Sequence, residues 1–127
     1  MIVDSSVAAA VCLGEPDAEH WVEQLIDSPA LAMSAATYAE AGLVINSRAL
    51  GAFDRFVTNL EIDVIPVDRV HADIARDAYR RFGKGSGHPA RLNYGDCFAY
   101  AAATVLDEPL LFKGEDFTHT NVRSVIA

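Results

Sequence analysis

Short apolar segments alternate with helical segments along the chain, and this alternation limits the fold more than any other feature of the sequence. Apolar runs of strand length lie at about 1–4, 30–33, 64–67 and 110–112. Each interval between them holds two stretches whose apolar residues recur at helical spacing. Strands and helices in this order build a parallel sheet with helices on both faces. The pattern β-α-α-β-α-α-β-α-α-β therefore predicts a three-layer α/β domain.

Capping residues predict where the helices begin and end. Helix starts are expected at short polar residues that can satisfy free N–H groups, namely Ser5-Ser6, Asp17, Ser34, Asp68 and Asn93. Pro29 is expected to end the second helix, and Gly51 to follow a third helix that reaches about Leu50. Further helices are expected at about 52–60 and 93–106, and a last strand near 122–126.

The composition is that of an ordinary globular protein. With 127 residues, 51 % of them hydrophobic and 22 % charged, the chain has room for one domain with one core. No apolar run reaches the roughly 18 to 20 residues that cross a bilayer, and residues 1–4 show no start of a secretory signal. Cys12 and Cys97 are far apart, as in reduced cytosolic proteins. We therefore expect a cytoplasmic protein without a membrane segment.

Four acidic residues stand where an acid is costly or conspicuous. Asp4 ends the first strand, Asp116 follows the fourth, and Asp96 opens a helix, so all three are expected at the C-terminal edge of the sheet. Glu40 interrupts the apolar third helix and shares a face with Val44. Its carboxylate is therefore predicted on or beside the buried stripe, where a lone charge costs several kcal/mol.

Taken singly, three of these acids also have a structural explanation: Asp4 as a helix cap, Asp96 in a capping box, and Asp116 in a polar turn. Gathered at one edge, four carboxylates would repel each other and require a cation or a shared proton. The candidate ligands are all hard oxygens, and the four histidines lack zinc spacing. Such a site suits Mg²⁺ or Mn²⁺ and predicts hydrolysis of phosphodiester bonds.

The charge distribution bears on the substrate. A net charge of −8 argues against a nucleic-acid partner, but the basic residues are uneven, with five of them within residues 76–91: Arg76, Arg80, Arg81, Lys84 and Arg91. An ordinary solvated helix face explains part of this cluster. Because the glycine-rich stretch 83–91 leads directly into Asp96, Arg76, Arg80, Lys84 and Arg91 are also candidates for RNA contacts.

Four segments, in order and at matching distances over the whole chain, carry a family resemblance. They are Met-Ile-Val-Asp-Ser-Ser at 1–6, Glu40 within the third helix, Tyr94-Gly95-Asp96-Cys97 before an alanine-rich helix, and Leu-Leu-Phe-Lys-Gly-Glu-Asp-Phe at 110–117. On these segments the chain resembles the PIN-domain ribonucleases, and most closely the VapC-type toxins of bacterial toxin–antitoxin pairs.

The resemblance implies a single PIN domain over residues 1–127 with a central, mainly parallel sheet of four to five strands in the order 3-2-1-4-5. It implies an endoribonuclease that depends on Mg²⁺ or Mn²⁺, forms a homodimer and is neutralised by a small VapB-type antitoxin. The catalytic acids of the family correspond to Asp4, Glu40, Asp96 and either Asp116 or its neighbour Glu115. Asp4 and Asp96 would hold the metal, with Ser6 in support.

Other classes of protein compete with this interpretation. A phosphorelay receiver has a similar length and a late lysine that Lys113 could match, but it needs an acid beside Asp4 and an aspartate after the third strand. A haloacid-dehalogenase phosphatase needs an acid at the position of Ser6. A catalytically inactive PIN-like binding module remains the main alternative to a ribonuclease.

Overall fold

The secondary-structure elements follow the predicted β-α-α order. A computed structural model describes residues 1–124, and the elements lie at β1 Ile2–Val3, α1 Ser5–Cys12, α2 Ala18–Ile26, β2 Ala32–Ser34, α3 Ala35–Asn46, α4 Ala52–Asn59, β3 Asp63–Ile65, α5 Arg69–Phe82, α6 Tyr94–Leu106 and β4 Leu110–Leu111. Each strand is followed by two helices before the next strand begins. The prediction of an alternating α/β domain is confirmed.

The sheet is parallel, and its strand order is β3-β2-β1-β4. In this register Ile2 of β1 lies opposite Ala32 on one side and Leu110 on the other. The order agrees with the expected 3-2-1-4-5 for the four strands. Of the last strand expected near 122–126, Ser124 forms an isolated parallel bridge with Leu110. Residues 125–127 lie outside the described residues.

Two apolar cores, one on each face, make the domain three layers thick. Neighbouring residues of a strand point to opposite faces, so Ile2 packs with α5 and α6 while Val3 packs with α1 to α4. Leu110 and Leu111 of β4 divide in the same way. Because both faces are covered, the edge formed by the strand C-termini is where functional groups can reach solvent.

Local caps explain most helix starts. Ser34 accepts a hydrogen bond from Ala36 N at 3.2 Å, and Asp68 accepts one from His71 N at 3.0 Å, as predicted. For the first helix the sequence offered two caps, Ser5-Ser6 and Asp4, and the structure shows that the cap is the Asp4 side chain. The first acid of the candidate site therefore also fixes the start of α1.

Several helices are shorter than the sequence suggested. The third helix ends at Asn46 instead of about Leu50, and the second ends at Ile26, before Pro29. Gly51 caps the next helix with a left-handed backbone, at a φ of 78°, that favours glycine. Within residues 1–124, no helix combines the length and apolarity that a membrane crossing requires.

Candidate active site

The candidate site lies at the C-terminal edge of the central strand. Strand β1 pairs with β2 on one side and β4 on the other. The chain runs outward from β1 to β2 and β3, and the connection after β3 crosses back to place β4 on the opposite side of β1. In open α/β sheets ligands bind in the crevice at such a switch point. Asp4 is the first residue after β1 and donates its backbone N–H to Leu111 O at 3.0 Å. This places an acid at the mouth of the crevice.

Ser6 ties Asp4 to the end of β4. Its hydroxyl donates to Asp4 Oδ2 at 2.6 Å and accepts from the backbone N–H of Lys113 at 2.9 Å. The backbone N–H of Ser6 also donates to Asp4 Oδ2, at 3.1 Å. The Asp4 carboxylate, only 4 % exposed, is therefore held by two donors on one oxygen, and its Oδ1 lies outside these hydrogen bonds.

Asp96 is held by a reciprocal capping box at the start of α6. Asn93 Oδ1 accepts from Asp96 N at 2.8 Å, while Asp96 Oδ2 accepts from Asn93 N at 3.0 Å. The predicted near match to a capping box is thus a complete one. Asp96 is 8 % exposed, and its Oδ1 also lies outside these bonds. A cap and a candidate ligand are therefore the same residue.

The electrostatics show that the four acids act on one another. Burial raises the pKa of Asp96 to about 7; the hydrogen bond from Asn93 opposes this shift, and the charges of Asp4, Asp116 and Glu40 add to it. Burial also raises the pKa of Asp4, against the hydrogen bonds from Ser6 and with a contribution from Glu40. Acids that lie 92 residues apart in the chain therefore share one field.

Glu40 reaches the site by a route that the sequence did not suggest. The prediction placed its carboxylate on or beside the buried stripe of α3. The residue is exposed and lies beside that stripe, next to the buried Ala41. The side chain leaves the apolar face and lies against the start of α6: a Cβ added at Gly95 would fall 2.6 Å from Glu40 Oε1 and 2.8 Å from its Cδ. Only glycine allows this approach, so Gly95 is a site residue that sequence reasoning missed.

The acid cluster fits a hydrated divalent cation better than a closed metal cage. Within residues 1–124, none of Asp4, Glu40, Asp96 and Asp116 forms an ion pair, so their charge is not compensated by a Lys or Arg of the fold. Nowhere in residues 1–124 are three or more His, Cys, Asp or Glu side chains arranged as a ready-made metal site. Mg²⁺ commonly uses one or two carboxylates and completes its shell with water and substrate phosphate.

The basic residues of 76–91 differ in whether they form ion pairs with acids of the fold. Arg80 pairs with Asp77 at 2.6 Å and Arg81 with the same carboxylate at 3.4 Å. In the described part of the chain, Arg76, Lys84 and Arg91 form no ion pair. These three exposed cations are therefore available to a phosphate backbone.

Lys113 contributes its backbone to the site and turns its side chain elsewhere. The ammonium group pairs with Glu15 at 2.5 Å and Asp17 at 2.9 Å, in the connection between α1 and α2. Hydrogen bonds to these two carboxylates raise the pKa of Lys113. A receiver-like role would need this amine beside Asp4, so the geometry removes that alternative.

Comparison with known proteins agrees with this geometry. The family model that describes the PIN domain matches residues 1–122. The chain is 46 % identical over 127 residues to ribonuclease VapC42 of Mycobacterium tuberculosis, covering 97 % of each protein. It is 45 % identical over 129 residues to ribonuclease VapC of Mycolicibacterium smegmatis, covering 98 % of this chain and 99 % of the relative.

Solved structures share the fold at low sequence identity. The M. tuberculosis toxin VapC20, described as cleaving the sarcin–ricin loop, superposes with a TM-score of 0.75 at 17 % identity, over 98 % of this chain and 97 % of that one. A toxin–antitoxin complex from Klebsiella pneumoniae gives a TM-score of 0.71 at 16 % identity, over 94 % and 92 % of the two chains.

Proposed function

The chain belongs to the PIN-domain family, and on that premise we propose that it is an endoribonuclease toxin of the VapC type, which uses Mg²⁺ or Mn²⁺ and is neutralised by a small VapB-type antitoxin. It hydrolyses RNA phosphodiester bonds. Its acids, rather than a serine or cysteine nucleophile, supply the chemistry, because burial raises the pKa of the Cys12 and Cys97 thiols to about 11 and leaves both inert.

One observation carries the proposal: Asp4 and Asp96 are buried at the crevice between β1 and β4 without a cationic partner in residues 1–124. Two such carboxylates call for a cation from outside the chain or a proton that neutralises one of them, because each unpaired buried charge costs several kcal/mol. A structural salt bridge would have been the simpler solution, and the sequence places no Lys or Arg there.

Each acid then has a distinct task. Asp4 and Asp96, each fixed in place by hydrogen bonds, would hold the cation through their carboxylates. A divalent ion held there would supply a water molecule of lowered pKa and positive charge to offset the phosphate. Glu40 and Asp116, both exposed, complete the ligand set or orient the attacking water. Ser6 keeps Asp4 in place.

The direction of cleavage follows from the identity of the nucleophile. Water attacks the phosphorus in line, and the bond to the 3′-oxygen of the preceding ribose breaks. The products carry a 5′-phosphate and a 3′-hydroxyl, because the ribose 2′-OH takes no part. The exposed cations Arg76, Lys84 and Arg91, and Arg80 once released from Asp77, contact the RNA backbone on the way to the acids.

An exposed apolar surface at α3 and the turn after it is available for binding partners. Leu43 of α3 and Leu50, in the turn that follows α3, are 77 % and 81 % exposed, which is costly for a solitary domain, and we assign this surface to a second copy in a homodimer. A cavity of about 210 Å³ between α1 and α3 is lined by Ser6, Glu40 and Val44 and adjoins the acids. The antitoxin fills this cavity and offers an Arg or Lys to the carboxylates. The RNA substrate and the antitoxin place the protein in the cytoplasm.

A digest of total RNA tests the activity. Wild-type protein is incubated with Mg²⁺, with Mn²⁺ or with chelator, and RNA ends are mapped beside the Asp96→Asn protein. We expect discrete, metal-dependent cuts with 5′-phosphate ends that Asp96→Asn and Asp4→Asn abolish while the variants stay folded. Identical cleavage by wild type and Asp96→Asn, or products with a 2′,3′-cyclic phosphate, would contradict the mechanism. An intact RNA pool would favour the inactive binding module.

A further inference from the structure

An open groove between α5 and α6 is not used by the acids. It has a volume of about 450 Å³ and is lined by Arg76 and Tyr79 of α5 and by Tyr94, Cys97 and Phe98 of α6. The walls are mainly aromatic and aliphatic. A groove of this kind accepts a flat apolar group. Its single charged side chain, Arg76, indicates that the bound group also carries a negative charge.

The aromatic side chains of this α5–α6 groove are unusually accessible. Tyr94 is 76 % exposed and Tyr79 is 43 % exposed. Tyr94 and Phe98, one helical turn apart, meet edge to face with ring centres 5.0 Å apart and an angle of 76° between their planes. Because Phe98 braces the Tyr94 ring, that ring is positioned without being covered. Exposed, braced aromatic rings are the platform on which single-stranded nucleic acids stack their bases.

Arg76 gives the groove its charge. The other arginines of α5 are engaged, with Arg69 on Asp73 and both Arg80 and Arg81 on Asp77. Arg76 alone among the α5 arginines has no ion pair within residues 1–124. In a chain of net charge −8, a free arginine beside aromatic rings favours an occupant with both a flat ring and a negative charge.

The groove lies at the same end of α6 as the acid cluster. Tyr94 is the first residue of α6, and Asp96 follows two positions later on the first turn. At 3.6 residues per turn the two side chains leave the helix on nearly opposite sides of a cylinder about 10 to 12 Å across. An RNA strand whose scissile phosphate lies at Asp96 would therefore pass around the start of α6. A base a few nucleotides from that phosphate would then reach the groove.

We propose that the α5–α6 groove binds one unpaired base of the RNA substrate, stacked on Tyr94 and Tyr79, with Arg76 on the adjoining phosphate. This proposal rests on the proposed ribonuclease function and adds a substrate subsite to it. Stacking requires a base that is out of a duplex, so the subsite selects single-stranded segments over paired ones.

Substitutions at Tyr94 test the subsite, and its exposure makes them harmless to folding. Tyr94→Leu keeps an apolar side chain and removes the ring, while Tyr94→Phe keeps the ring and serves as the matched control. With a short single-stranded RNA that spans a mapped cut site, we expect Tyr94→Leu to lower kcat/KM roughly 5- to 150-fold, the range reported for loss of one stacked base. Tyr94→Phe, which keeps the stacking ring, should lose much less activity than Tyr94→Leu.

Abasic nucleotides identify the position of the base. Replacing one nucleotide near the cut by an abasic one should reproduce the loss, and Tyr94→Leu should add nothing further on that RNA. Additive losses at every position tested, or normal kcat/KM for Tyr94→Leu, would overturn the proposal. Light scattering accompanies each variant: if Tyr94→Leu changes the mass of the particle, the groove belongs to a second copy and the proposal fails.

A cross-linking experiment separates this proposal from the proposed function. Iodouridine-substituted RNA is irradiated with the Asp96→Asn protein, and modified residues are mapped by mass spectrometry. Cross-links at Tyr94 or Tyr79 support the subsite even if wild-type protein cleaves nothing, in which case only the proposed ribonuclease function fails. Cleavage that depends on Asp96 without cross-links in the groove leaves the ribonuclease intact and removes the subsite.

Discussion

The carboxylate of Glu40 rests on the Cα face of Gly95, where a Cβ would come within 2.6 Å of Oε1. This contact joins the middle of α3 to the start of α6, one residue from Asp96. Glu40 can therefore take this position only because residue 95 is a glycine. Because Gly95 is helical and Glu40 is a flexible, exposed side chain, the acid would yield to a larger residue.

Gly95→Ala should therefore separate activity from stability. Alanine favours the helix by about 1 kcal/mol over glycine, so the melting temperature should stay the same or rise. Glu40 must swing away, and we expect RNA cleavage to fall roughly 10- to 100-fold, as for a misplaced catalytic group. Glu40→Gln supplies the control: in that background Gly95→Ala should cost little more. Equal losses in both backgrounds would mean that Gly95 acts independently of Glu40.

The raised pKa of Asp96 predicts how stability depends on pH in the absence of metal. An aspartate with an ordinary value of 3.8 and a folded value of about 7 binds more protons in the folded state between these limits. The free energy of unfolding should therefore fall as pH rises from about 4 to 7, by at most about 4 kcal/mol from this group. The raised pKa of Asp4 acts in the same direction.

Urea unfolding in chelator at several pH values measures this slope. Asp96→Asn should flatten it and raise stability near pH 8, because the amide carries no charge to repel Asp4. Millimolar Mn²⁺ should stabilise the wild type by mass action, and more at pH 8 than at pH 5. If neither chelator nor Mn²⁺ changes the stability of the wild type, the acids do not bind a metal and act only as helix caps and surface charges.

Ser6→Ala should loosen the Asp4 end of the site. It leaves the Lys113 N–H without its acceptor and removes the shorter of the two hydrogen bonds from Ser6 to Asp4, so we expect a loss of about 1 to 3 kcal/mol in stability. Cleavage should fall with weaker affinity for Mn²⁺. Ser5→Ala, at the neighbouring position of α1, should leave both unchanged. If Ser5→Ala and Ser6→Ala behave alike, the hydroxyl of Ser6 has no special role.

Arg76 and Arg80 should differ in their effect on RNA binding. Arg76→Ala removes a cation that is free in the described residues, so it should weaken binding and lower the slope of log K against log salt by about 1. Arg80→Ala removes a cation already shared with Asp77 and should change the slope less. Lys84→Ala should resemble Arg76→Ala. Equal slopes for Arg76→Ala and wild type would exclude Arg76 from the RNA path.

Two exposed leucines, Leu43 of α3 and Leu50 in the turn after it, predict the assembly. Wild-type protein at micromolar concentration should scatter light as a dimer, and the double substitution Leu43→Ser with Leu50→Ser should give a folded monomer. Val70→Ser, at an apolar position of α5 that is also exposed, is the matched control and should leave the dimer intact. A monomeric wild type would remove the assignment of α3 to a homodimer.

Much of the framework is encoded in local sequence. The apolar runs and their helical intervals fix the element order, because periodicity expresses directly which residues must be buried together. The starts of α3, α5 and α6 could be predicted from their caps, Ser34, Asp68 and Asn93, because a cap depends only on residues within one turn. The positions of Asp4 and Asp96 follow from the same local rules.

The completion of the site depends on tertiary structure. Helical periodicity put Glu40 on or beside the buried stripe and could not choose between the two. The residue is exposed and its side chain lies on Gly95, because the packing of α3 beside α6 decides which way that edge faces. The bond from Lys113 to Ser6 spans 107 positions, and no local pattern specifies such a partner. A sequence states which residues prefer burial or a cap; which distant side chains then meet is set by how the layers pack.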